Sequence, residues 1–217
     1  MKKVINVDKL EMFHAEVALI IAIFLQMIVW WAYHSFSNLQ FFIILGEVAM
    51  LSVVAFSSNI KTFHSRNIYK IAALVLLMIM SAANFSSLVV VIKSLITGHS
   101  DFTGMQLLAS ALAIFATNII VFGLWYWEID SPGLTQRRWS SRDKDFQFSQ
   151  QDMEKDFPDW RPEFIDYMYL SLTNAINFAP ADTKPLTHSA KTLMGTQALI
   201  SVFTLAVVIA RSVSILG

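Results

Sequence analysis

Two groups of polar side chains interrupt an otherwise apolar chain. The first is Thr173, Asn174, Asn177 and Asp182, gathered with Phe178, Ala179, Pro180 and Ala181 between a short apolar segment and a long one. Carboxylate and amide oxygens so placed coordinate or pass a cation when several copies ring an axis. The second group is Gln26, Glu47, Asn84, Asn118 and Gln197, each deep inside an apolar run. Ionisable and amide groups at such depth are costly in lipid, so they mark either a functional path or interhelical hydrogen bonding. Counted from the polar joint at 34–38, Gln26 and Glu47 each fall about eight residues in, and Asn84, Ser86 and Ser87 come within about a turn of that depth. They form one polar layer: a proton or cation stop, or an interhelical contact with Glu47 neutral. Asn118 with Thr117, and Gln197 with Thr204, either line a pore or hold helices together.

Other chemistries find no residues to carry them. The absence of cysteine excludes disulfides, thiolate metal sites and redox thiols. His14, His34, His64, His99 and His188 all fall at helix ends or in loops, whereas haem in a bundle needs axial histidines facing each other at one depth. Glu11 and His14 have the spacing of a di-metal half-site, without a second copy. No Gly-rich phosphate loop, nucleophile elbow or His-Glu-x-x-His occurs. The chain reads as no enzyme, with no cofactor and no nucleic-acid partner.

The elements that must position these residues are membrane spans. Of 217 residues 55% are hydrophobic and only 15% charged, the balance of an integral membrane protein. Apolar runs of spanning length fall at about 15–34, 39–59, 69–96, 105–127 and 193–216. Trp30, Trp31 and Tyr33 close the first, and Trp125, Tyr126 and Trp127 close the fourth, as aromatic belts do. The segment Phe164 to Ile176 gives only roughly 20 Å of helix, short of the roughly 30 Å hydrocarbon core. It cannot cross, and is expected to re-enter and return, which a bilayer tolerates only around a polar path or a buried interface. The expected fold is therefore all-α and polytopic, with five transmembrane helices and one re-entrant helix. Residues 128–162 form a polar linker of mixed charge punctuated by Pro132, Gly133, Pro158 and Pro162, read as solvated with one short helix between Gln150 and Asp156. If the helices alternate and the re-entrant segment returns to its own side, all basic residues but Lys93 and Arg211 share one face. The positive-inside rule makes that face, and the amino terminus, cytoplasmic.

Asp182-Thr183-Lys184-Pro185-Leu186-Thr187-His188-Ser189-Ala190-Lys191 has the form D-x-x-P-x-T-x-x-A-K. It resembles the segment after the selectivity filter of the two-transmembrane potassium-channel pore module. That resemblance implies an N-terminal three-helix region over 1–104 and a pore module over 105–217: outer helix, linker 128–162, re-entrant helix and loop 163–185, and inner helix. It also implies a homo-oligomer, a fourfold ring before a dimer, in the cell's inner (plasma) membrane. The layout is similar, too, to a bacterial integral-membrane family of unknown function whose members open the same loop with Asp-Tyr-x-Tyr, as Asp166, Tyr167 and Tyr169 do here. Where the channel filter carries two glycines, this chain has Ala179 and Ala181 around Pro180, which oppose the left-handed backbone of stacked carbonyl rings. The expectation is passage of small ions, cations first, without potassium-type selectivity. The alternative is a non-conducting scaffold or accessory subunit with a vestigial pore loop, and the third choice a haem or quinone oxidoreductase.

Overall fold

Among the described residues, seven helices and one two-stranded ribbon follow in the order α1 (Lys9–Ala32), α2 (Asn38–Ser57), α3 (Phe63–Thr97), α4 (Gly104–Asp130), β1 (Phe146–Phe148), α5 (Ser149–Asp152), α6 (Phe164–Asn177), β2 (Thr183–Pro185) and α7 (His188–Leu216). The structure is a computed structural model and describes residues 9–32, 38–57, 63–97, 103–131, 133–134, 144–153, 155–158, 160–177 and 182–216. Lys9–Ala32, Lys70–Ile96, Gly104–Asp130 and His188–Ala210 are long and apolar enough to cross a membrane, which marks an integral membrane protein. In α2, where a further span is expected, the described apolar stretch is Phe41–Ser52.

The core falls in two clusters stacked along the helices. One gathers Met12 and Ala15 of α1, Leu76 and Leu77 of α3, Tyr126 and Trp127 of α4, and Ala190 and Met194 of α7. The other gathers Val29 and Ala32, Leu88 and Val91, Leu107 and Ala111, and Val207. The early turns of α1 and α7 and the first half of α3 thus share a level with the end of α4, which runs antiparallel to all three. α4 is the central helix and packs against α1, α3, α6 and α7.

Both ends of α4 are capped by side chains. Thr103 and Gln106 form a reciprocal capping box, Gln106 N donating to Thr103 Oγ1 at 3.3 Å and Thr103 N to Gln106 Oε1 at 2.8 Å. At the other end the Ser131 hydroxyl donates to Trp127 O at 2.6 Å and accepts from Gly133 N at 3.1 Å. Gly133 sits at φ +58°, and a Cβ there would run into Glu128, so only glycine turns the chain at this point.

The linker is not simply solvated, and here the sequence reading needs correction. β1 pairs antiparallel with β2, Gln147 opposite Lys184, so residues before and after α6 are tied together. Phe146 and Phe148 are buried, against Tyr126 (centroids 5.2 Å apart) and Tyr167 (5.4 Å, rings at 89°). Burial of two phenylalanines in an alternating Phe-x-Phe outweighs the surrounding charge, because each large aromatic removes far more apolar area from water than one surface ion pair contributes. The short helix expected between Gln150 and Asp156 is α5, one turn over Ser149–Asp152. Arg161 pairs with Glu11 at 3.1 Å, holding the linker's end to the start of α1.

Candidate functional site

α6 leaves the end of α4 and runs back along it. Its buried positions Phe164, Tyr167, Leu170, Ser171, Asn174 and Ala175 recur at helical spacing and form one face. Phe164 stacks edge-on against Trp127 at 5.2 Å, Met168 lies over Gly123, and the Ser171 hydroxyl donates to Ile119 O at 2.6 Å. Gly123 permits the approach, since a Cβ there would come 2.5 Å from Met168 Sδ. On α7 the buried positions Ala190, Met194, Gln197, Ser201, Thr204 and Val207 make the facing seam, polar at its centre.

Where these faces meet, four side chains close a network. Gln197 Oε1 accepts from the Tyr126 hydroxyl at 2.6 Å and from Asn174 Nδ2 at 2.8 Å. Gln197 Nε2 donates to Ser171 O at 3.0 Å and to Ser171 Oγ at 2.7 Å. Asn174 Nδ2 also reaches Met194 O at 3.1 Å and Tyr126 OH at 3.2 Å. All four residues are buried, and every bond joins two of α4, α6 and α7, so the network fixes the three helices to one another rather than opening a path. Further along the seam Asn118 Nδ2 donates to Ser201 Oγ at 3.0 Å, while Asn118 Oδ1 and Thr117 Oγ1 are buried without a hydrogen-bond partner.

At the outer end of the unit Asp130 gathers three donors: Asp145 N, Phe146 N at 2.9 Å and the Tyr167 hydroxyl at 2.7 Å. The Thr187 hydroxyl donates to Asp145 Oδ1 and accepts from Ala190 N at 3.2 Å, capping α7. The D-x-x-P-x-T motif is therefore a ribbon strand ending at Pro185 followed by a helix cap at Thr187. Asp130, Asp145 and Ser171 are not among the residues the sequence singles out, and Tyr126, read there as part of an aromatic belt, is instead fully buried in the network.

The residues it did single out separate. Asn174 turns inward, bonded to Tyr126, Met194 and Gln197. The Thr173 hydroxyl donates to Tyr169 O and Leu170 O of its own helix, both at 3.0 Å. Asn177 and Asp182 are exposed, and the Asp182 carbonyl accepts from Ser149 Oγ at 2.6 Å. Phe178, Ala179, Pro180 and Ala181 lie outside the described residues. Gln26 meets Glu47 across the α1–α2 contact, and Asn84 is buried on α3. Among the described residues no group of three or more His, Asp or Glu side chains could hold a metal ion.

Fold and site define a helical integral membrane protein built around α4, with a short amphipathic helix held between α4 and α7. The chain matches no protein family, no curated protein and no solved structure.

Proposed function

We propose that the protein is an oligomeric pore-loop membrane protein that passes small cations without potassium-type selectivity. The observation that carries this is the excursion of the chain between α4 and α7. α6 is 14 residues long, about 21 Å, and lies back along α4 as far as Ile119. Yet the strand after it pairs with β1 beside Asp130, at the end where α6 began. With α2 counted as a span, this is a five-span chain with one re-entrant helix. One copy leaves Asn177 and Asp182 on its outside, so enclosing an axis takes several copies. α6 and α7 offer apolar faces for them: Ile165, Tyr169, Leu172 and Ile176 on one, Leu199, Val202 and Phe203 on the other, all exposed. The Asp182 carboxylates and Asn177 amide oxygens favour cations.

A non-conducting scaffold is the second possibility, favoured by the engagement of Asn174 in the core network. Flux separates the two. In liposomes reconstituted at equal protein density, wild type should pass monovalent cations and Asp182→Asn should pass fewer, with unchanged assembly. Equal flux removes the pore role of Asp182. A wild type silent in every salt tested leaves the scaffold.

A further inference from the structure

We propose that Glu47 and Gln26 form a proton-binding site in the α1–α2 contact, separate from the α4–α6–α7 unit and independent of its function. Glu47 is 0% exposed and Gln26 6%. One terminal position of the Gln26 amide lies 3.2 Å from both Glu47 oxygens. A primary amide can present either of its ends there, and the two ends suit different forms of the acid. With nitrogen in place Gln26 donates to both oxygens of a carboxylate. With oxygen in place it accepts the single O–H of a carboxylic acid.

The surroundings choose the resting form. Glu47 is the sole ionisable residue of α2. On α1 the ionisable residues Lys9, Glu11, His14 and Glu16 lie in the early turns, and Gln26 comes ten residues after Glu16, about 15 Å along the axis. On α3 they are His64, Arg66, Tyr69 and Lys70 in the first two turns and Lys93 near the end. Among the described residues none makes an ion pair with Glu47. A buried carboxylate facing only an amide lacks the cation that would offset its desolvation. The site therefore rests with a proton bound, the Gln26 carbonyl accepting from it, and the amide turns to donate when the proton leaves.

Infrared spectra of the purified full-length protein in lipid, taken as the pH is stepped, test this directly. Wild type should show a protonated-carboxyl C=O band that is absent from Glu47→Gln and is lost in a one-proton step as the pH is raised. Gln26→Leu should keep the band and move it to higher wavenumber, as in an acid whose O–H has lost its acceptor. Identical wild-type and Glu47→Gln spectra overturn the proposal. So does failure of Glu47→Gln to fold, since glutamine is the neutral isostere and would fail only where a charge was needed. A band unchanged to the alkaline limit of folding means a permanent proton and no binding site, and an unshifted band in Gln26→Leu removes the amide from it.

Discussion

Replacing Gln197 by leucine keeps the volume of the α4–α6–α7 junction close to native and removes its central polar group. Gln197 makes four hydrogen bonds there, to Tyr126, Asn174 and, twice, Ser171. Side-chain hydrogen bonds inside membrane proteins average about 0.6 kcal/mol each, so four amount to about 2.4 kcal/mol. The substitution also strands the Tyr126 hydroxyl, whose acceptor was Gln197 Oε1, and an orphaned buried donor costs on the order of 1 kcal/mol or more. The expected loss for Gln197→Leu is about 2–4 kcal/mol. Tyr126→Phe alone loses two bonds, one to Gln197 and one from Asn174, but in the Gln197→Leu background it removes the stranded hydroxyl, so the double mutant should be less destabilised than the sum of the singles by about 1 kcal/mol. Unfolding in mixed micelles of rising SDS fraction, followed by tryptophan fluorescence, reports all four proteins, since Trp125 and Trp127 flank Tyr126. Thr196→Ala, an exposed position one residue away, should change stability by less than about 0.5 kcal/mol. Additivity of Gln197→Leu and Tyr126→Phe within about 0.5 kcal/mol would refute the network, because uncoupled sites add to that precision.

Asp130→Asn keeps the size of the side chain but turns an N–H₂ toward donors that Asp130 now accepts from, Phe146 N and the Tyr167 hydroxyl among them. It should cost on the order of 1–3 kcal/mol and loosen the ribbon, read as faster limited proteolysis between residues 131 and 146. Orientation is open to a direct check in this cysteine-free chain. A potassium-channel-like pore module would put the linker outside the cell, while the basic residues put it inside, and the charge bias should prevail. An impermeant maleimide should label Ser100→Cys in intact cells and spare Ser65→Cys, and the reverse pattern refutes the inside placement.

Long-range apolar patterning was legible because each spanning run repeats its message over about 20 residues. It located α1, α3, α4 and α7 to within six residues at every end, the starts of α1 and α3 least well, and the short α6 almost to the residue, since Glu163 and Asn177 bound it with polar groups. The Gln26–Glu47 contact was legible from depth alone. The ribbon was not, because three residues per strand carry too little pattern to stand out from a charged segment. Nor was the role of Asn174: position along the chain gives the level of a side chain in the bundle, but which way it faces depends on the packing of α6 against α4, set by Gly123 and Ser171. Asp130 went unnoticed because it falls within the stretch read as polar linker, whereas it is the acceptor around which that linker folds back.

The ribbon that straddles α6 has a consequence for the order in which the protein is made. A helix of 14 residues is too short to be left in the bilayer as a crossing segment when it leaves the ribosome. The strand β2 that pairs with β1, and the α6 partners Met194 and Gln197, are all synthesised after it. Until residues 183–197 have emerged, β1 has no mate and the Asn174 amide has only Tyr126 to meet. The contacts that hold α6 between α4 and α7 are therefore complete only once the first turns of α7 have been made, so this junction closes after α1, α3 and α4 have all been synthesised.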